Sequence, residues 1–236
     1  MNTRASTGER IWQAALTLFA RQGFAGTSTR DIAVASGLTQ GSLYHYMGSK
    51  DDLLEQVMFG AMTGLVNAAR ELSRATGGDP VPTLAGLVQL HVAVHARHRM
   101  EAMVVDREVA QLGPANQRRI TAMRDEYEDL WRETIVRGIE AGRFAVADPR
   151  LATLALLGMC TEVATWYRPR GRMSEDVIGL RFVQMSLGLL RATDAGGGEV
   201  DAEQVSVGDI APYLAIYEER GGHGMVGAKA TARAGS

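Results

Sequence analysis

The sequence has little of what marks several protein classes. It contains a single cysteine, Cys160, which excludes an internal disulfide framework and a cysteine-based zinc site. Its mainly apolar stretch from Leu151 to Cys160 has 10 residues, among them the polar Thr153, whereas a membrane span needs about 18 or more. The first ten residues lack the apolar core of a signal peptide. These absences predict a soluble, cytoplasmic protein.

Basic charge is also scarce. The formal net charge is −2, and only two of the 25 basic residues are lysines. Residues 1–60 carry five basic and five acidic side chains, whereas residues 193–236 carry three basic and seven acidic ones. Taken at face value, this balance argues against a nucleic-acid partner, because DNA-binding domains usually present a basic patch. Any contact with DNA would therefore depend on local geometry and would show a shallow salt dependence for each subunit.

What the chain does have is apolar periodicity at three- and four-residue steps, with 46% hydrophobic residues over 236 positions. The pattern predicts an all-α fold of nine helices without strands. We expect the first helix to end at Gly23 and the second to run from an N-cap at Thr29 to Gly37. The third is expected from Gln40 to Tyr46, and the fourth from a cap at Ser49 to Ala75. The remaining five are expected at about 82–98, 100–112, 115–141, 148–168 and 174–193.

Three regions follow from composition and from the helix breakers. Residues 1–55 form a helix-turn-helix domain, and residues 56–193 form a second helical domain. Residues 194–236 are rich in glycine and acidic, which predicts a flexible tail with room for one short helix from Ile210 to Arg220.

The second and third helices are short and are joined by Ser36-Gly37-Leu38-Thr39, an arrangement that presents a helix to the major groove of DNA. Leu43 and Tyr46 are three residues apart, and we expect both to face the core. Gly41 lacks a side chain, so the backbone there can approach DNA closely.

Here the sequence resembles the TetR family of bacterial transcriptional regulators, with Met47 standing where that family usually has phenylalanine. The resemblance covers about residues 8–55 and rests on Ala14, Ala15, Phe19, Gly23, Phe24, Thr27, Ser28, Ile32, Ala33, Gly37, Gly41, Ser42, Leu43, Tyr44, Tyr46, Lys50 and Leu53. It implies the fold named above and a set of DNA contacts. The implied contact residues are Thr29 and Lys50 as phosphate anchors, Thr39, Gln40, Gly41 and Ser42 in the groove, and Tyr44 and His45 on the backbone or a thymine methyl group.

The resemblance also implies a homodimer formed by the last two long helices. Their apolar stripes agree with this, although such stripes can equally fill a core within one chain. The implied interface residues are Leu151, Leu154, Gly158, Phe182, Met185 and Leu189.

The family further implies a pocket for a small molecule. The stretch from Trp166 to Ser174 resembles regulators that respond to acyl-coenzyme A thioesters, and its three arginines suit a phosphorylated ligand. An alternative is that this stretch only shapes the turn between the last two long helices, and Glu162 and Thr165 stand where relatives can place a basic residue. The candidate ligand residues are Met62, Leu87, Leu90, Met103, Arg107, Tyr127, Trp131, Trp166, Arg168 and Arg170.

Together these features predict a TetR-type repressor that binds a palindromic operator as a dimer and is released by an acyl-coenzyme A or another apolar or amphipathic molecule. One alternative is a regulator of efflux or catabolism that senses an apolar compound without coenzyme A. Another is a metal sensor, because His91, His95 and His98 share a helical face. No phosphate-binding glycine loop or nucleophile motif is present, so neither a cofactor nor an enzymatic activity is expected, and the lone Cys160 is expected to be buried.

Overall fold

The computed structural model describes residues 6–220. In this range the chain is helical, with one isolated β-bridge between Thr193 and Glu199. The α-helices are α1 (Thr7–Gln22), α2 (Thr29–Ser36), α3 (Gln40–Leu43), α4 (Lys50–Ala75), α5 (Pro80–Arg97), α6 (Arg99–Arg107), α7 (Pro114–Glu140), α8 (Pro149–Thr161), α9 (Val163–Trp166), α10 (Glu175–Leu189), α11 (Ala202–Val205) and α12 (Ala211–Arg220), and a 3₁₀ turn spans Val109–Gln111. No helix among these residues is long and apolar enough to cross a membrane.

The all-α prediction is confirmed, but the count of nine helices is too low for the described residues. The eighth predicted helix is interrupted at Glu162, because the Thr165 hydroxyl donates to the Glu162 carbonyl at 2.8 Å and competes with the helical ladder. The other two additional helices lie in the region where composition predicts a flexible tail: α12 corresponds to the short helix predicted from Ile210 to Arg220, whereas α11 is not predicted. Leu214 and Tyr217 in α12 are buried, while residues 221–236 lie outside the described range.

The chain divides into two compact units. Among the described residues, the first comprises 6–64, 100–121 and 218–220, and the second comprises 65–99 and 122–217. Helices α4 and α7 contribute residues to both units.

In the first unit, α1 packs its apolar face against α2. Ile11 and Phe19 are almost fully buried, and the Phe19 ring lies 5.3 Å from the Phe24 ring. Burying each such side chain contributes roughly 1.5–3 kcal/mol. This packing fixes α2, and α2 in turn carries α3.

The second unit is built around α5, of whose 18 residues 14 are buried. A helix that is apolar on all sides must be covered on all sides, and α5 contacts α8, α9, α10 and α11. Gly138 in α7 is required for close packing, because a Cβ atom there would lie 2.0 Å from the Phe144 ring.

Candidate DNA-reading helix, dimer face and effector region

A tight turn connects α2 to α3. Gly37 adopts a left-handed conformation (φ 70°) that caps α2, and its N–H bonds back to the helix. The N-cap of α2 is Ser28 rather than the predicted Thr29, because the Ser28 hydroxyl accepts from the Asp31 N–H while Asp31 accepts from the Ser28 N–H. Hydrogen bonds from the Ser28 hydroxyl and N–H hold the pKa of the exposed Asp31 below its usual value.

Helix α3 is a single turn. It begins after the N-cap Thr39, whose hydroxyl accepts from the Ser42 N–H at 3.2 Å. Leu43 faces the core as predicted. The prediction for Tyr46 is wrong: its side chain is 42% exposed, and the inward position is filled by Met47. The helix ends at Leu43, so the three-residue spacing no longer applies beyond it.

The outer surface of α3 carries the predicted groove residues. Gln40, Gly41, Tyr44 and His45 are exposed, and Ser42 is half-buried. A Cβ atom on Gly41 would meet nothing within 4 Å, so the backbone there is open to a close approach. This surface is called the reading face below.

Thr29 of α2 organises the reading face. Gln40 Nε2 donates to Thr29 Oγ1 at 3.3 Å, and the Tyr44 hydroxyl donates to the same oxygen at 3.5 Å. One hydroxyl thus orients two side chains of α3 before any DNA is bound.

Lys50 was expected to anchor a phosphate, but the structure gives it internal partners. Its ammonium donates to the carbonyl oxygens of Phe24 at 2.9 Å and Thr27 at 2.8 Å, and it lies 3.9 Å from the Phe24 ring centroid. Only one of its three N–H groups is left for another acceptor. Lys50 therefore ties the start of α4 to the segment between α1 and α2.

An apolar face is exposed on α8 and α10. Leu151 is 64% exposed, Leu154 and Met185 are each 47% exposed, and Leu189 is 42% exposed. Gly158 is also exposed, whereas Phe182 is buried within its own chain. We call the exposed set the dimer face. Val177 on α10 is a further exposed apolar residue, at 44%. The predicted interface residues do not include it, because it stands alone in the first turn of that helix.

The ten candidate ligand residues are divided between the two units. Met62, Met103 and Arg107 belong to the first unit, where Met62 is buried and Arg107 is exposed. The other seven belong to the second unit. Two clefts in that unit, of about 520 Å³ and 290 Å³, are lined by other residues of α5, α10 and the segment 199–211.

Tyr127 and Trp131 lie around a buried histidine that the ligand prediction did not include, and Leu87 and Leu90 are buried on the helix that carries it. His91 Nδ1 is 3.1 Å from the Tyr127 hydroxyl, and its Nε2 is 3.1 Å from Thr161 Oγ1. The His95 ring stacks on His91 with centroids 3.9 Å apart. Burial, with a smaller effect from His95, lowers the pKa of His91 well below its usual value.

This arrangement disfavours the metal-sensor alternative. Both ring nitrogens of His91 have hydroxyl partners, and His95 Nδ1 donates to the His91 carbonyl at 2.8 Å. Within residues 6–220, no group of three or more histidine, cysteine, aspartate or glutamate side chains is arranged to hold a metal. Cys160 is buried as predicted, and burial raises the pKa of its thiol to about 12.

The arginine-rich segment forms a loop of residues 167–174, called the arginine loop below, in which Tyr167 is buried and residues 168–174 are exposed. Arg168 donates to the carbonyls of Thr165 and Tyr167, and Arg170 and Arg172 are exposed. Trp166, which precedes the loop, is 43% exposed and lies 6.2 Å from the Phe182 ring. The loop therefore offers exposed cations beside an aromatic surface.

The chain is similar to known proteins along most of its length. Residues 11–57 match the model described as bacterial regulatory proteins, tetR family, and residues 77–190 match the tetracyclin repressor-like C-terminal domain. The HTH-type transcriptional repressor KstR2 of Rhodococcus jostii is 32% identical over 192 residues, which cover 79% of this chain and 93% of that protein. The chain belongs to the TetR family.

Solved structures of TetR-type proteins agree with this assignment. The regulator PfmR from Thermus thermophilus aligns with a TM-score of 0.68 and 30% identity over 78% of this chain and 99% of its own. AibR in complex with isovaleryl coenzyme A and operator DNA aligns with a TM-score of 0.64 and 25% identity over 79% of this chain and 100% of its own. Membership of the TetR family confirms the prediction of a DNA-binding transcriptional regulator of the repressor type that is not an enzyme.

Proposed function

We propose that the protein is a cytoplasmic homodimeric repressor that binds a palindromic operator and leaves it when a small apolar or amphipathic molecule binds the second domain. The observation that carries the proposal is that one chain presents both an exposed reading face on α3 and an exposed apolar dimer face on α8 and α10. A reading helix this short gives limited affinity alone, whereas a two-fold dimer engages two half-sites.

The reading face supports direct contact with base edges. Gln40 can pair its amide with an adenine, and Thr39 and Ser42 offer hydroxyl groups. Tyr44 and His45 are placed for the DNA backbone or a thymine methyl group. Of the two proposed phosphate anchors, Thr29 keeps its O–H as a donor while its oxygen accepts from Gln40 and Tyr44, whereas Lys50 acts mainly inside the chain.

The dimer face supports self-association. A contiguous apolar surface of this kind on a monomer generally marks an interaction site. Leu151, Leu154 and Gly158 on α8 and Met185 and Leu189 on α10 form the proposed contact, and exposed glycine lets two helices approach closely. Phe182 is buried within its own chain and is not part of the proposed contact.

An acyl-coenzyme A thioester is the favoured ligand class. Two arginines of the arginine loop, Arg170 and Arg172, are exposed and suit phosphate groups, while Trp166 offers a surface on which an adenine can stack. The related AibR is described with isovaleryl coenzyme A. Glu162 and Thr165 supply no positive charge before Trp166, so the loop has to bind the phosphates without them.

A second candidate is an apolar ligand without coenzyme A that carries one polar group. It is favoured by the buried set of His91, Tyr127 and Thr161, because a few convergent polar groups in an apolar interior are typical of small-molecule sites. Such a ligand would exchange its own oxygen for one of the bonds that His91 now makes.

Calorimetric titration separates these candidates. Isovaleryl-coenzyme A, free coenzyme A and isovalerate are each titrated into the wild-type protein, into Arg170→Ala and into a control variant, Arg150→Ala, whose exposed side chain lies on α8 away from the loop. We expect both coenzyme A compounds to bind the wild type and Arg150→Ala with the same affinity, and to bind Arg170→Ala about tenfold more weakly. Absence of heat from every coenzyme A compound would remove the thioester proposal and leave the second candidate.

A further inference from the structure

At the junction of α5 and α6, the consecutive residues Arg97, His98 and Arg99 each contact a different helix. Arg97 Nε donates to Glu175 Oε1 of α10 at 2.6 Å, and Arg99 Nε donates to the Ala164 carbonyl of α9 at 3.2 Å. Between them, the His98 ring lies 4.8 Å from the Tyr217 ring of α12. The junction is thus fastened to α9, α10 and α12.

Two of these attachments are made at the two ends of the arginine loop. Ala164 stands just before the loop, and Glu175 is the first residue of α10 just after it. A displacement of either end therefore pulls directly on Arg99 or Arg97. The third attachment, to Tyr217, does not involve the loop.

Tyr217 belongs to a C-terminal extension, residues 194–220, that is firmly packed on the second unit. Gln89 of α5 grips its backbone, because Gln89 Oε1 accepts from the Val207 N–H at 2.8 Å and Gln89 Nε2 donates to the Val207 carbonyl at 3.4 Å. A Cβ atom on Gly86 would lie 2.8 Å from the Val207 side chain, so this glycine makes room for the extension. Leu214 and Tyr217 are each 2% exposed.

The extension lies beyond residue 190, where the match to the C-terminal family model ends. Its packing is therefore a property of this chain rather than of the matched domain. The helix that follows the junction also matters, because α6 from Met100 onward belongs to the same compact unit as the reading face.

We propose that the C-terminal extension is a built-in clamp, which holds the α5–α6 junction through the contact of Tyr217 with His98 and thereby keeps α6 in the conformation that supports operator binding. Tyr217 is a positioning residue in this scheme: it touches neither DNA nor ligand. The part of the proposal that concerns DNA rests on the proposed function, whereas the holding of the junction does not.

Hydrogen–deuterium exchange on the full-length protein tests the clamp without DNA or ligand. In Tyr217→Ala, amides of α6 (99–107) and of residues 163–175 should exchange about tenfold faster than in the wild type, because local opening becomes easier when a buried aromatic contact is lost. Tyr213→Ala is the matched control, since this half-buried tyrosine lies one turn earlier in the same helix. Faster exchange confined to residues 194–220 would overturn the proposal.

A binding measurement extends the test to the DNA. A duplex enriched from a random-sequence library by the wild-type protein serves as the operator. Tyr217→Ala should bind it about fivefold more weakly, within the range seen for residues that couple distant sites, while Tyr213→Ala should bind like the wild type. Equal affinity of Tyr217→Ala and wild type would contradict the clamp, whereas failure of the wild type to enrich any duplex would contradict the proposed function and leave the exchange result to decide the clamp.

Discussion

The reading face and the buried histidine cluster differ in how far apart their partners lie along the chain. Gln40 and Tyr44 bond to Thr29, only 11 and 15 residues away. His91 bonds to Tyr127 and Thr161, 36 and 70 residues away. A site made from neighbouring residues can be predicted from a short motif, whereas a site made by tertiary packing cannot. The experiments below test whether this division between a local DNA site and a dispersed effector region is correct.

The largest loss of operator affinity is expected from a substitution in the dimer face, because tight binding to the operator requires two reading faces in one dimer. Leu154→Arg places a charge on a surface that we expect to be buried between two copies, and operator affinity should fall by about 100-fold as the protein becomes monomeric. Sedimentation and a gel-shift titration measure the two effects. Ala122→Arg is the control, because Ala122 is exposed on α7 and lies on neither the reading face nor the dimer face. A Leu154→Arg protein that remained dimeric would contradict the assignment.

The reading face itself is tested by Gln40→Ala. Loss of a paired amide contact with a base should weaken operator binding by about 10- to 100-fold and relax the preference at one base pair. Gln204→Ala, an exposed glutamine on α11, serves as the control and should bind like the wild type. If Gln40→Ala bound the operator with full affinity and selectivity, α3 would not be the element that reads the sequence.

Lys50 distinguishes internal stabilisation from phosphate binding. Lys50→Met leaves the carbonyls of Phe24 and Thr27 without this donor, so unfolding by urea should show a loss of roughly 1–3 kcal/mol. The slope of log affinity against log salt should stay unchanged, whereas loss of a phosphate contact would reduce it by about 1.

Arg30→Met is the matched comparison, since Arg30 is exposed on α2 and free to meet a phosphate. Its loss should lower the salt slope with little effect on stability. With so few cations in the reading face, the wild-type slope should be no steeper than about −2 for each subunit. A steeper slope would mean that basic contacts outside this region are important.

The smallest effect is expected from the pH dependence of the effector region. His91 is buried with a lowered pKa, so below its unfolded pKa of about 6.5 the unfolded chain binds a proton that the folded chain does not. Stability should therefore fall as the pH drops from 7 to 5.5, by up to about 1.4 kcal/mol for each pH unit. His91→Phe should flatten this dependence and the exposed His45→Gln should not, as measured by urea unfolding at each pH. An identical slope in His91→Phe would assign the effect to other groups.

Much of the fold could be predicted from local signals. The Gly37 turn, the N-cap at Thr39 and the Asp148-Pro149 start of α8 are encoded within a few residues, and the structure has each of them. The exposed apolar stripe on α8 and α10 also follows from helical spacing, apart from Phe182.

The sequence does not reveal features that depend on a distant partner. Lys50 bonds to carbonyls 23 and 26 residues away, which no motif reveals. Helical spacing predicts α12, but not that Tyr217 packs against His98 at the end of α5 or that Gln89 of α5 bonds to Val207, so a flexible tail is the wrong prediction for residues 194–220. The candidate ligand residues rest on residue type, on their place in the middle helices and on the family resemblance; they are divided between two units, and no short motif connects them.

A hydroxyl-radical footprint of the wild-type protein on a duplex enriched from a random library, combined with the stoichiometry of the complex, tests the central claim most directly. We predict two protected half-sites related by a two-fold axis, with centres separated by whole helical turns of about 10 base pairs, and two chains for each duplex. A single protected half-site bound by one chain, or the absence of any protected site, would contradict a dimeric regulator that reads a palindrome through α3.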